Sequence, residues 1–297
     1  MLIRESTDAD APAIARLLLE ADDTRVLSPA GVVHMRRTQP ERGRVLDLVA
    51  EIEGEVVARG AAGLDISTTT EGAAWASLAV DPPMRRRGIG GAVGEKLLEH
   101  LHELGASKAT TFFRSTEESE RWATTRGWSR LLVGPLIALD PRTVAEPTVS
   151  TGYRCVPMAQ VAPQPVFEAV RAAAVDEPTP IQHDDVQFDD FLRDWYEPDA
   201  DLDSSTVVLD EDGMVVAFTF LHVVGERAKH GFTGTVREHR GRGLATAAKR
   251  RTLRAAAARG VTLVTTSNAE ENAAMRAINR NLGFQQIGEH VIFGRDL

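Results

Sequence analysis

The chain has 297 residues, a formal net charge of −9, 43% hydrophobic and 26% charged residues, which is the composition of a soluble globular protein long enough for two cores. The acidic balance argues against a broad nucleic-acid surface and mildly favours cationic partners. No apolar run approaches the ~18 residues of a membrane span, residues 1–10 are too charged for a secretory signal, and a single cysteine, Cys155, excludes an internal disulfide, so a cytoplasmic protein is expected.

In chain order, "LIRESTDADAPAIARLLLEA" (2–21) reads as a short strand and an amphipathic helix. Residues 46–52, the turn "EGE" and residues 56–60 read as a hairpin. A third strand ends at Val80 and runs through "DPPMRRRGIGG" into a helix with Ile89, Val93, Leu97 and Leu101 on one face. "KATTFFR" (108–114) is the next strand, followed by a helix and the pair Gly127-Trp128. Two prolines and small polar residues interrupt the pattern at 138–152. The same order then returns: "YRCVPMAQVAPQPVFEAVRAA", a hairpin of 205–209 and 214–221 around "EDG", a strand ending at Val236, "REHRGRGLA" opening a helix, the strand "VTLVTTS", a helix and Gly283-Phe284.

Arg85, Gly88 and Gly90 map onto Arg240, Gly243 and Ala245 at one constant spacing, and Gly127 maps onto Gly283 at a spacing one residue longer. The period is a whole domain, too long for a solenoid repeat. Two domains are expected: 1–145, degenerate, and 150–297, catalytic.

Consecutive N–H groups at a strand-to-helix turn cradle an anion, and the helix dipole adds about half a positive charge there. Gly241, Gly243 and Ala245 let a phosphate approach the main chain, and arginines add forked donors. Neither a P-loop nor the full GxGxxG dinucleotide spacing is present. Capping of a surface turn would explain one such stretch more easily than two in the same context.

The patterns R-x-x-G-x-G (Arg85, Gly88, Gly90) and R-x-x-G-x-A (Arg240, Gly243, Ala245), each after a strand ending in Val, resemble motif A of the GNAT acetyltransferases, and the Gly-aromatic pairs resemble the end of that family's motif B. The resemblance implies an α+β (α/β-type) fold: two tandem copies of a mixed, mostly antiparallel sheet flanked by helices. It implies acetyl-CoA as cofactor, its pyrophosphate on the turns (Val80, Arg85, Arg86, Arg87, Gly88, Ile89, Gly90; Val236, Arg240, Gly241, Arg242, Gly243, Leu244, Ala245) and its pantetheine between two diverging strands. No metal, nucleic acid or membrane partner is expected.

The copies differ. Asn268 and Asn272 suit the pantetheine amides, although an Asn there also suits a helix N-cap; the first copy has Phe113 and Glu117 instead. In one branch of the family the base is a Glu six residues before the strand-end hydrophobic residue. His230 holds that place in the second copy and Ala74 in the first. A histidine titrating near 6.5 can serve as base, an idle strand histidine is the plain alternative, and Glu226 is the fallback through water. The family's usual acid, a Tyr four residues before the Gly-aromatic glycine, is replaced by Asn279, and by Ala123 in the first copy. This leaves delivery of a proton to the CoA thiolate unassigned.

The segment 183–203, which resemblance places at the acceptor site, carries nine acidic residues against one arginine. Asp184, Asp185, Asp189, Asp190, Asp194, Glu197, Trp195 and Tyr196 could hold a cationic amine, be a solvated helix face, or dock on the basic residues 25–44. The expected function is transfer of an acetyl group from acetyl-CoA to a primary amine of a small molecule or peptide, by the second domain. The alternative is an acetyl-CoA-binding or sensing protein without turnover, which the missing tyrosine favours.

Overall fold

The computed structural model describes residues 1–175, 185–268 and 272–297. Asp184 lies outside the described residues.

In chain order the elements are β1 (Leu2–Glu5), α1 (Ala11–Ala21), α2 (Pro29–Arg37), β2 (Leu46–Ile52), β3 (Glu55–Leu64), β4 (Ala73–Val80), α3 (Ile89–Glu103), β5 (Lys108–Arg114), α4 (Glu117–Thr124) and β6 (Ser129–Leu139). They continue as β7 (Arg154–Pro157), α5 (Pro163–Ala174), α6 (Phe188–Trp195), β8 (Thr206–Leu209), β9 (Val215–Val224), β10 (Arg227–Thr235), α7 (Leu244–Ala258), β11 (Leu263–Ser267), α8 (Ala273–Leu282) and β12 (Gln285–Asp296). The hairpins, the turn-helix junctions and the apolar stripe of α3 follow the sequence pattern, and Ile89, Val93, Leu97 and Leu101 are all buried.

The chain forms two compact units. Of the described residues, the first comprises 1–133, Asp185 and 289–297; the second, 134–175, 186–268 and 272–288. Each has one strand ladder. In the first unit β1, β2, β3 and β4 pair antiparallel in succession, β4 pairs parallel with β5, and β5 pairs antiparallel with residues 290–296 of β12. In the second, β7, β8, β9 and β10 repeat the antiparallel run, β10 pairs parallel with β11, and β11 pairs antiparallel with residues 136–139 of β6.

The duplication is therefore visible in topology, but the units are not the contiguous segments 1–145 and 150–297. The last strand of each comes from the other half of the sequence. Strand β6 passes from one unit to the other at Val133-Gly134 and β12 does so at Gly288-Glu289. Charge and shape hold the strand in the first unit: His290 Nε2 lies 2.9 Å from Asp22 Oδ2, both buried, and Val291 and Phe293 enter the core formed with α3. Burial alone would push the Asp22 carboxyl up, but hydrogen bonds with His290 and Thr24 outweigh it and hold it well below the usual range. In the second unit, Leu136 and Leu139 are buried and Leu139 joins the core under α7.

Candidate active site in the second unit

Parallel pairing of β10 with β11 covers Arg227–Leu263, Ala228–Val264 and Lys229–Thr265 and then stops, although β10 runs on to Thr235. A register shift between His230 and Thr233 bends β10 at that point. The strands diverge beyond it, linked through the Thr266 hydroxyl donating to the His230 carbonyl at 3.3 Å. The diverging strands leave an unladdered backbone edge on β10, the feature a pantetheine amide would pair with. The first unit repeats this: β4 and β5 pair at three positions, ending at Trp75–Thr110.

The two turns resemble each other at the arginine. Arg240 Nε donates to the Thr235 carbonyl at 3.0 Å, and Arg85 Nε donates to the Val80 carbonyl at 3.1 Å. They differ around it. Gly241 and Gly243 stand at φ 77° and 74°, and a Cβ on either would meet nothing within 4 Å; Gly88, the counterpart of Gly243, is the same at φ 81°, so the difference lies at the position of Gly241. The exposed turn Arg240–Gly243 thus leads to the N–H groups of Leu244 and Ala245, which have no intrahelical acceptor. In the first unit Arg86 holds the position of Gly241 and takes φ 63°, a conformation costing a non-glycine residue about 1 kcal/mol. Glu118 already faces that turn: its carboxylate bonds Arg85 at 2.9 Å and lies 3.8 Å from Arg86. The matching positions of α8, Ala273 and Ala274, bring no carboxylate. Arg87 is exposed, and Gly90 packs by Val80 and Trp122.

Arg242 turns onto Tyr153, donating to its hydroxyl with the guanidinium 5.8 Å from the ring centroid. Tyr153 in turn reaches His239 Nδ1 at 3.1 Å. Val236 closes the end of β10 against the apolar core of α5 and α6.

Beneath the divergence lies a buried polar group. His230, Lys249 and Asn279 are 2%, 1% and 1% exposed. The ring of Phe284 neighbours two of them: its centroid is 6.4 Å from that of His230 and 5.7 Å from Lys249 Nζ, while the backbone N–H of Phe284 donates to the backbone carbonyl of Asn279 at 3.1 Å. Asn279 Nδ2 donates to Asn268 Oδ1 at 2.6 Å. Neither nitrogen of His230 nor Asn279 Oδ1 has a partner among the described residues. Burial, with Lys249 as second cause, holds the His230 imidazolium well below the usual 6.5, and burial pulls Lys249 down to about 7. His230 is neutral near pH 7 and faces α7, away from α6.

Of the residues singled out from the sequence, Asn279 and Asn268 bond each other, and His230 and Asn279 are both buried beside Phe284, while the turn lies at the far end of β10. Asn272 instead caps α8, accepting from the Met275 N–H at 3.1 Å. Glu226 is exposed at the other end of β10, about 30 Å of strand from the turn. Its carbonyl anchors the Thr262 N–H at 2.9 Å. On α6, Arg193 bonds both Asp190 and Asp194 at 2.7 Å, so these carboxylates are answered within the helix. Asp189 is exposed. Asp185 donates its N–H to the Ser67 carbonyl in the first unit, at 2.9 Å. Trp195 lies flat on β10, where a Cβ on Gly231 would sit 2.6 Å from its ring. Tyr196 packs on Phe191, and burial pushes its hydroxyl up to about 12. The wall facing α6 is thus aromatic more than acidic. Behind it His222, lowered to about 4 by burial and Lys229, sits 3.6 Å from Glu197. Burial raises Cys155, consistent with an inert thiol.

Sequence reasoning missed Lys249 and Glu118. Lys249 had a signal: it occupies an apolar position of α7, between Ala245 and Leu253, in a chain with only four lysines, Lys96, Lys108, Lys229 and Lys249. Glu118 had none, because an acidic first turn is ordinary in any helix.

A duplicated mixed sheet with a split parallel pair and a glycine turn at the helix start is the architecture of the GNAT fold. Residues 16–128 and 167–284 both match the acetyltransferase (GNAT) family model, and the chain belongs to that family. No curated protein sequence matches it. The structure is similar to a tandem GNAT protein from the clavulanic acid biosynthesis pathway, at 22% identity and a TM-score of 0.76 over 99% of this chain and 98% of that one. A GCN5-related N-acetyltransferase from Sphaerobacter thermophilus matches at 20% identity and 0.71, over 99% and 95%. One from Kribbella flavida matches at 18% and 0.52, over 97% and 95%. At these identities the likeness establishes the fold. Among the described residues no helix is long and apolar enough to cross a membrane.

Proposed function

We propose that the protein is an N-acetyltransferase that moves the acetyl group of acetyl-CoA to a primary amine of a small molecule or peptide, in the second unit, with the first unit a non-catalytic partner. The observation that carries this is the set of buried polar side chains, with both His230 nitrogens and Asn279 Oδ1 unpartnered among the described residues, beside the strand that leads to the glycine turn of the second unit, where the first unit has an apolar cluster and an Arg85–Glu118 ion pair at its turn.

The residues fit the cofactor. The Leu244 and Ala245 N–H groups and Arg240 would hold the pyrophosphate, and the unladdered edge of β10 with Asn268 would meet the pantetheine amides. Acetyl-CoA supplies an activated acyl thioester. The chain's own task is proton handling: an ammonium acceptor has a pKa of about 10.4 and must lose a proton before it can attack. His230, kept neutral by burial, retains a lone pair that can take a proton from the acceptor. Trp195 offers an aromatic face to the acceptor, and Asp189 a carboxylate to a cationic one.

The test is thiol release from acetyl-CoA with a panel of amines, using wild type, Gly243→Asp and Gly88→Asp. Loss of activity in Gly243→Asp alone supports the assignment. Loss in Gly88→Asp alone would move the site to the first unit, and acetyl-CoA binding without release for any amine would favour a sensing role.

A further inference from the structure

The first unit shows what this fold needs at the buried polar positions, and it needs nothing polar. Counting from each strand-end valine, turn glycine and Gly-aromatic glycine, His230, Lys249 and Asn279 correspond to Ala74, Gly94 and Ala123. Ala74 and Ala123 lie in an apolar cluster with Trp128, the counterpart of Phe284. Trp122 lies over Gly94, its ring 3.7 Å from where a Cβ would stand. One unit thus fills this place with carbon, while the other fills it with an imidazole, an amine and an amide, and both imidazole nitrogens and the amide oxygen have no partner among the described residues. Burying such groups costs stability, so a structural role does not explain them.

Lysine is also the informative choice. Arg250 and Arg251 follow it, and nearly all basic residues of the chain are arginine. A guanidinium stays charged in any protein environment, whereas an amine can give up its proton.

Resting on the reading of the second unit as the acetyl-CoA site, we propose that Lys249 is the proton donor to the departing CoA thiolate, replacing the tyrosine absent at position 279. The step balances. The acceptor nitrogen forms a bond to the acetyl carbon, the carbon–sulfur bond breaks with its electron pair on sulfur, and Lys249 Nζ gives sulfur a proton. The acceptor nitrogen loses two protons in all: the ammonium proton goes to solvent before attack, and the one released on acylation returns to the neutral Nζ by way of the His230 imidazole. Asn279, tied to Asn268, is a positioning residue. Among the described residues, the titratable group that senses the Lys249 charge is His230 of β10, and the ring of Phe284, between α8 and β12, lies against its amine.

Burial brings the Lys249 ammonium close to neutral pH, so it can lose its proton there. A donor must be protonated, so turnover falls as pH rises through that range. His230 must be neutral, so turnover is also lost as pH falls through its depressed pKa.

The test begins without acetyl-CoA. In protein carrying 13C-labelled lysine, the four Cε signals are followed against pH, with Lys249→Met assigning one of them. The Lys249 signal is expected to titrate near neutrality; Lys249 titrating near the ordinary lysine value of about 10.4 overturns the proposal. Lys249→Met should then keep acetyl-CoA affinity within about 3-fold, lower kcat roughly 100-fold, the scale of a general-acid effect, and lose the alkaline limb of the pH profile. Lys249→Arg keeps the charge and should not restore that limb. An unchanged kcat and profile in Lys249→Met sinks this inference alone. Absence of acetyl-CoA binding to the second unit in wild type sinks the functional reading beneath it. If Lys249→Met fails to fold, the lysine titration, assigned by comparison with Lys96→Arg, Lys108→Arg and Lys229→Arg, still decides.

Discussion

The two units have the same ladder of strands and opposite interiors at one place. Ala74, Gly94 and Ala123 make that place in the first unit an ordinary core, and Glu118 pairs with Arg85 at its turn. His230, Lys249 and Asn279 make it polar in the second, whose turn has Gly241 where the first has Arg86. Because the comparison is internal, the fold itself is held constant. What remains is the difference between a unit optimised for packing and one that retains costly buried groups.

The largest effect that could break the comparison is at the turns. Gly243→Asp puts a carboxylate on the phosphate path at φ 74° and should weaken acetyl-CoA binding by roughly 100-fold or more, the scale of losing a charge-assisted anion contact. Gly88→Asp should leave affinity unchanged, as read by calorimetric titration.

Next comes the anchor of the exchanged strand. Asp22→Ala leaves His290 buried beside a missing partner and should destabilise the first unit by about 3 kcal/mol, measured by denaturant unfolding. The Asp22 carboxyl is depressed in the folded state, so its contribution is complete above the unfolded value of about 3.9 and is lost as pH falls toward the folded one. Acetyl-CoA affinity of this variant should survive under conditions where the second unit remains folded.

Lys249→Met should act in the other direction. Removing a buried ammonium should raise stability by about 1–3 kcal/mol. Since the folded pKa of Lys249 is lowered to about 7, the gain should be greatest below pH 7 and shrink as pH rises toward the unfolded value of about 10.4. Thermal unfolding at pH 6 and pH 9 reads both. The smallest effect is expected from Glu118→Ala, which frees Arg85 and should give the first unit weak anion affinity, detectable as a second shallow binding event of millimolar strength, near −4 kcal/mol.

Much of this was legible in the sequence because the duplication repeats local rules. The hairpins, the α3 stripe and both turns follow from periodicity and glycine placement, and His230 and Asn279 were each reachable from the family pattern. What was not legible depends on long-range pairing. Nothing local in "QQIGEHVIFGRD" or "SRLLVGPLIAL" tells which ladder each strand completes, so the exchange of last strands was missed. Asn268 and Asn272 both read as caps or ligands, and only the fold separates them: Asn272 caps α8 and Asn268 meets Asn279. The nine acidic residues of 183–203 suggested a cation site, but Arg193 lies between two of them, and Arg259 approaches Asp201 and Asp203 at 3.2 and 3.8 Å.

The most direct measurement is calorimetric titration of acetyl-CoA into wild type, Arg240→Glu and Arg85→Glu. A single site per chain, abolished by Arg240→Glu and intact in Arg85→Glu, is the result this account predicts. Binding that survives Arg240→Glu and disappears with Arg85→Glu would contradict it, because the turn covered by Glu118 would then be the one that holds the cofactor.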